Sequence, residues 1–299
     1  MKRSTAHLPD RKRQELKRIA ETIVEAVPSV QMVILFGSHA RGDWVEDCYE
    51  KDGRIYEYSS DYDILVITET YTIADKLSLW SRVERRIREP EISKTWTTLI
   101  AHDIEYVNRR LSKSAYFFAD IKKEGICLYS SGKHRLAPLK QPDPRDRLGR
   151  AKVNFEYWYK TAKSFFRQYL HAIDDSDYNI AAFDLHQAVE NLYHALLLVF
   201  TGYKPKLHDL EKLGRLTGGF GKELLIIFPS TTEEERNRFQ LLKKAYTEAR
   251  YEPAYRIEKE DLEYLSARVR KLQEAVKLLC EQRIAGYEKE AQKWGKGRK

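Results

Sequence analysis

At 299 residues, with 42% apolar and 33% charged side chains, the chain can build two domains with cores of their own. No apolar stretch approaches the length that spans a bilayer, and the opening Met-Lys-Arg-Ser-Thr-Ala-His-Leu-Pro-Asp lacks the apolar region of a secretory signal. Cys48, Cys127 and Cys280 are odd in number and far apart, which excludes a disulfide framework and a cysteine zinc site, so the expected compartment is the cytoplasm. A net charge of +8 suits an anionic partner such as a nucleotide or nucleic acid.

In chain order, Arg11 to Ala26 reads as a helix with Leu16, Ile19, Ile23 and Val24 on one stripe, Asp10 as its N-cap and Pro28 as its stop. The apolar run Met32 to Phe36 reads as a strand that ends abruptly at Gly37-Ser38. Trp44 to Ser59 is a charged, tyrosine-rich insertion read as a β-hairpin, with Asp52-Gly53 as its turn. A second strand opens at Ser60-Asp61-Tyr62-Asp63 and runs into Ile64-Leu65-Val66-Ile67. A helix follows over Ile73 to Arg88, then a strand over Trp96 to Ile100, a helix over Ile104 to Leu111 and a short strand over Ile126 to Tyr129. This half is a small α/β domain.

Pro138, Pro142 and Pro144 mark a linker. Beyond it every periodic stretch is helical: Asp146 to His171, Asn179 to Phe200, Leu207 to Arg215, Lys222 to Phe228, Glu233 to Tyr251 and Asp261 to Glu281. The expected layout is an α/β (α+β) domain with a small mixed sheet over 1–137, a linker over 138–145, an all-α helical bundle over 146–285 and a basic, disordered tail over 286–299.

Alternate residues of a strand share a face, so Asp61 and Asp63 project together while Tyr62 turns away. Two adjacent carboxylates repel unless a cation lies between them, and a hard divalent ion such as Mg²⁺ suits them because it leaves coordination positions for phosphate oxygens. Gly37 lets the backbone approach a phosphate, and Ser38 adds a hydroxyl and an N–H donor. Arg41 can pair with phosphate or with Asp43.

Gly37-Ser38-His39-Ala40-Arg41-Gly42-Asp43 followed by Ser60-Asp61-Tyr62-Asp63 resembles the signature of the nucleotidyltransferase superfamily of DNA polymerase beta, kanamycin nucleotidyltransferase and the minimal nucleotidyltransferases. The resemblance implies nucleotide binding at Gly37, Ser38 and Arg41 and Mg²⁺ at the catalytic pair Asp61 and Asp63. It also implies transfer of a nucleoside monophosphate from an NTP, ATP above all, to a hydroxyl. The acceptor stays open among a small molecule, a protein tyrosine and an RNA end. The superfamily usually carries a third carboxylate on the next strand, where this chain has Thr95, Thr97 and Thr98. Glu91, Asp103 and Glu105 are the acids nearest in sequence.

Ala182-Phe183-Asp184-Leu185-His186-Gln187-Ala188-Val189-Glu190-Asn191-Leu192-Tyr193-His194, with Gly202 to Leu210 and Leu242 to Tyr251, is similar to a HEPN domain. That implies a helical bundle that pairs as a homodimer, with His186, Glu190, Arg250 and Tyr251 as groove candidates. His186, Glu190 and His194 also lie four apart on one helical face, as a polar seam or a metal site. HEPN ribonucleases carry an Arg followed by a His on a late helix. Here Arg236 and Arg238 open that helix but His208 is the last histidine, so RNA cleavage is not expected. The alternative to a transferase is a non-catalytic nucleotide-binding or toxin–antitoxin-like module.

Overall fold

The computed structural model describes residues 2, 4–51, 54–139 and 143–296, and divides into two compact units, Met1–Pro142 and Asp143–Lys299. The first unit opens with α1 (Asp10–Ala26), preceded by Pro9 rather than by a side-chain cap. There follow β1 (Val30–Phe36), the single-turn α2 (Gly37–Arg41), β2 (Glu46–Lys51), β3 (Arg54–Ser59) and β4 (Tyr62–Thr68). α3 (Tyr71–Ala74), α4 (Leu77–Ile87), β5 (Thr97–Asp103), α5 (Ile104–Ser112), α6 (Tyr116–Glu124) and β6 (Ile126–Ser130) complete it.

Four strands form one mixed sheet in the order β5-β4-β1-β6, with β4 parallel to β5 and antiparallel to β1. The central run of β1 is buried on both faces, as its lack of alternation requires. Leu16, Ile19 and Ile23 of α1 pack in one core with Val33, Leu35, Ile64 and Val66. Each such fully buried side chain contributes about 1.5–3 kcal/mol. On the opposite face Ile34, Leu65 and Ile67 are buried beneath α5 and α6.

β2 and β3 pair antiparallel as the inserted hairpin, and its Asp52-Gly53 turn lies outside the described residues. The helix expected over Ile73 to Arg88 is broken into α3 and α4 at Asp75-Lys76. α6 was not predicted from the sequence, although Phe117, Phe118 and Ile121 form its buried face.

The second unit is helical throughout its described secondary structure: α7 (Pro144–Asp174), α8 (Tyr178–Thr201), α9 (Leu210–Gly218), a 3-10 turn over Lys222–Ile226, α10 (Glu233–Lys244), α11 (Glu248–Tyr251) and α12 (Lys259–Lys296). Leu185, Val189, Leu192 and Leu196 of α8 are buried with Leu262, Leu265, Val269, Leu272 and Val276 of α12 in one core. The single helix expected over Glu233 to Tyr251 stops at Lys244 and restarts at Glu248. The disordered tail expected from 286 is also corrected: α12 continues to Lys296, because Tyr287 is buried and its hydroxyl donates to the carbonyls of Val199 and Phe200 at 3.1 and 3.2 Å. Arg298 and Lys299 lie outside the described residues. Among the described residues no helix is long and apolar enough to cross a membrane.

Candidate functional site

The antiparallel register of β1 and β4 pairs Phe36 with Asp63, so the chain leaves β1 beside the mouth of β4. There Gly37 adopts φ +73°, a left-handed conformation that other residues enter only with strain. A Cβ at Gly37 would collide with the Asp63 carboxylate. Both constraints demand glycine, and together they set the backbone of Gly37 directly against Asp63.

Asp61 and Asp63 interact electrostatically. The Asp63 carboxyl is pushed up to about 8, first by burial, then by the charge of Asp61, and it is eased only by Arg41. Such a pair is at odds with neutral pH unless a cation joins it. Arg41 forms an exposed ion pair with Asp43 at 3.0 Å, and its charge also acts on Asp63.

Tyr62 faces the other way, as the strand period requires. Its hydroxyl donates to Glu15 Oε2 at 2.9 Å, and Thr95 Oγ1 donates to the same oxygen at 3.0 Å. Lys12, fully buried, reaches Glu46 Oε1 at 2.5 Å and lies 4.6 Å from the Trp44 ring centre. His39 lies between these groups. Its Nδ1–H donates to the Asp61 carbonyl at 3.0 Å, and its ring is stacked on Trp44 with centroids 5.5 Å apart. Burial, followed by the charge of Lys12, lowers His39 to about 4, so the imidazole is neutral. His39 thus ties α2, which carries Ser38, to the backbone of the first carboxylate. Motif reading passed over it, although its position inside the Gly-Ser turn was a usable signal.

On the other side of β4, Asp63 is in register with Thr98 of β5. Thr98 is buried and its Oγ1 has no hydrogen-bond partner. The position expected of a third carboxylate is therefore held by a hydroxyl. None of the alternative acids replaces it. Asp103 pairs with Thr68, five residues and roughly 16 Å farther along the strand, and caps α5 by accepting from Tyr106 N at 2.8 Å. Glu91 and Glu105 are exposed, the first in the loop before β5 and the second on α5. Among the described residues no group of three or more His, Cys, Asp or Glu side chains gathers to hold a metal. Two carboxylates beside a glycine cradle fit one hard divalent cation that shares its remaining positions with phosphate oxygens.

In the second unit Glu190 is the hub of a histidine cluster and is hydrogen-bonded to His208. His208 Nδ1 lies 3.0 Å from both carboxylate oxygens, His186 Nε2 lies 3.5 Å away and His194 Nδ1 3.9 Å away. His186 also donates Nδ1–H to the Leu242 carbonyl at 2.9 Å. Tyr246 stacks on His208 with ring centres 4.3 Å apart, and its carbonyl accepts from the Arg250 guanidinium. Arg250 in turn lies over Phe183 and Tyr251, the latter 70% exposed. Tyr246 thus links His186, on whose ring it also lies, to Arg250 and Tyr251, residues grouped as groove candidates on the sequence. His208 was missed as the hub's main donor because it lies in a loop, outside the helical spacing. Arg236 donates to the Ser230 carbonyl, while Arg238 pairs with Asp261 and Glu234.

Residues 17–134 match a family model described as polymerase beta, nucleotidyltransferase, and residues 155–279 match a model of the HEPN domain. No protein of curated function matches the chain. Among solved structures, a nucleotidyltransferase-like protein from Exiguobacterium sibiricum is similar at 14% identity, over 91% of this chain and 78% of that one, with a TM-score of 0.23.

Proposed function

Since residues 17–134 match the polymerase beta nucleotidyltransferase model and residues 155–279 match the HEPN model, we propose that the first unit binds an NTP with a divalent cation and transfers the nucleoside monophosphate to a hydroxyl. The observation that carries this reading is the convergence of Gly37, Asp61 and Asp63, where the glycine lacks the one atom that would collide with the carboxylate.

Asp61 and Asp63 would hold the cation, Mg²⁺ by the hardness of the donors. When bound, the cation supplies charge neutralisation to the phosphates. Gly37 and Ser38 receive the β- and γ-phosphates, and Arg41, released from Asp43, adds a charge-assisted hydrogen bond. The acceptor oxygen attacks the α-phosphorus in line. Its new bond forms as the bond to pyrophosphate breaks. The electron pair leaves with pyrophosphate and the hydroxyl proton passes to water. The protein's part is positioning and electrostatics. ATP is the expected donor.

A second reading, nucleotide binding without turnover, is favoured by one observation: Thr98 stands in register with Asp63 where an acid would activate the acceptor. The HEPN unit is proposed to pair two chains and to bind without cleaving RNA, since no histidine follows Arg236 or Arg238. Release of pyrophosphate from ATP with Mg²⁺, measured with purified chain and candidate acceptors, separates the two readings. Transfer predicts release that Asp61→Asn abolishes. Tight ATP binding with no release from any acceptor class would favour the second.

A further inference from the structure

Asp63 closes the β1–β4 ladder opposite Phe36, and Asp61 lies two residues outside it. The ladder and the Gly37 contact therefore set Asp63 but leave Asp61 to be held by other means. The peptide unit that joins Asp61 to Tyr62 is held at both of its polar groups. Its N–H, on Tyr62, donates to the Trp96 carbonyl at 2.8 Å, and its carbonyl, on Asp61, accepts from His39 Nδ1–H at 3.0 Å. A peptide unit is planar and includes both flanking Cα atoms, so these two bonds fix where the Asp61 side chain starts. His39 is itself part of the turn that carries Ser38. The Ser38 carbonyl accepts from Gly42 N at 2.9 Å and from Asp43 N at 3.1 Å, and the His39 carbonyl accepts from His7 Nε2–H at 2.8 Å.

The His39 ring is fully buried, stacked on Trp44 and edge-on to Tyr62 with centroids 4.6 Å apart. Its Nε2 is buried without a partner, so among the described residues the bond to Asp61 is the ring's single hydrogen bond. An unpaired buried nitrogen costs stability. A phenylalanine would fill the same slot between two aromatic rings without that cost, so packing alone does not account for an imidazole here. What the imidazole adds is the N–H aimed at Asp61. We propose that His39 is a positioning residue for the cation: it couples the Gly37-Ser38 turn to the carboxylate pair, so that nucleotide and divalent ion bind as one unit. The proposal rests on the NTP reading of this site. A cation shared between carboxylate and phosphate oxygens needs both donor sets at once, each within about 0.5 Å of its place. Gly37 secures that spacing for Asp63, and His39 secures it for Asp61. Without the Nδ1–H, the turn can still take a triphosphate and the strand still carries both acids, but the two are no longer spaced for one ion.

Calorimetry of a non-hydrolysable ATP analogue on the full chain, with and without Mg²⁺, reads this coupling as the ratio of the two affinities. His39→Phe keeps a ring between Trp44 and Tyr62 and removes the donor. It is expected to cut the Mg²⁺ enhancement by roughly tenfold, the scale of one buried hydrogen bond, with the metal-free affinity nearly unchanged. His39→Asn puts an amide N–H where Nδ1–H stands and should keep most of the enhancement. His39→Gln carries the same amide one methylene farther out and should lose it as His39→Phe does. The Asn and Gln variants decide the question if the Phe variant does not fold, since they differ in reach rather than in polarity. An enhancement untouched in His39→Phe, or equal in His39→Asn and His39→Gln, would overturn the proposal and leave the site reading standing. So would a His39→Phe chain that weakens both affinities by the same factor, which is what a purely structural residue predicts. No Mg²⁺ enhancement in the unsubstituted chain would overturn the site reading and this proposal together.

Discussion

Asp184 and His194 titrate in the same pH range with opposite consequences. Burial raises the Asp184 carboxyl to about 6 from an ordinary 3.8, so the fold prefers it protonated. Its ionisation weakens the folded state above that value, and the penalty disappears as the pH falls toward 3.8. His194 is lowered to about 4 from 6.5, first by burial and then by the charge of Lys204, so the fold prefers it neutral. The unfolded chain binds that proton first, and stability falls as the pH drops from 6.5 toward 4. Asp184→Asn should therefore raise stability by about 1 kcal/mol at neutral pH, after allowing for the solvent that reaches the group, and by almost nothing near pH 4. Denaturant melts at both pH values check this, and a gain that is equal at the two would refute it. At this scale the sequence was informative where a fixed local period applies. The i, i+2 spacing was enough to turn Asp61 and Asp63 to one face and Tyr62 to the other. It could not disclose the bond from His39 to the Asp61 carbonyl, nor His208 on Glu190, because each joins segments whose approach depends on tertiary packing.

The strand–turn–helix that carries Gly37 is the element on which the site depends. Gly37→Ala must hold an alanine at φ +73° and move the Asp63 carboxylate out of the way. The strain alone is about 1–2 kcal/mol. The variant should lose more than about tenfold in affinity for Mg²⁺ with an ATP analogue, on the basis that about 1.4 kcal/mol is a tenfold change. Calorimetry measures it, and an unchanged affinity would mean that the turn does not serve the carboxylates. Strong apolar runs made the elements themselves readable: β1, β4 and the long helices α7, α8 and α12 follow directly from burial on one face or two. The failures lie where local and tertiary preferences compete. α6 is a short helix whose buried face is only Phe117, Phe118, Ala119 and Ile121. The expected 233–251 helix is broken around Tyr246, whose ring stacks on His208 and whose carbonyl is taken by Arg250. The continuation of α12 past 286 depends on Tyr287 reaching α8 across 87 and 88 residues of chain.

For the whole molecule, one unit carries the Gly37, Asp61 and Asp63 cluster and the other is a helical bundle that exposes large apolar side chains. Val153 is 67% exposed, Tyr157 61% and Leu278 52%. We expect the chain to be a homodimer through this bundle, with an isologous interface burying on the order of 1,600 Å² in total. Light scattering on the full chain at tens of micromolar decides it, and a strictly monomeric mass would remove the dimer. The domain order was legible because each half carries its own period and its own motif. The placement of Thr98 beside Asp63 was not, because it arises only through strand register. The account as a whole stands on a cation held by Asp61 and Asp63 beside Gly37. Calorimetry of a non-hydrolysable ATP analogue, with and without Mg²⁺, on the natural chain and on Asp61→Asn/Asp63→Asn tests it most directly. The account predicts Mg²⁺-enhanced binding in the natural chain and none of that enhancement in the double variant. Equal affinity and equal metal dependence in the two proteins would contradict it.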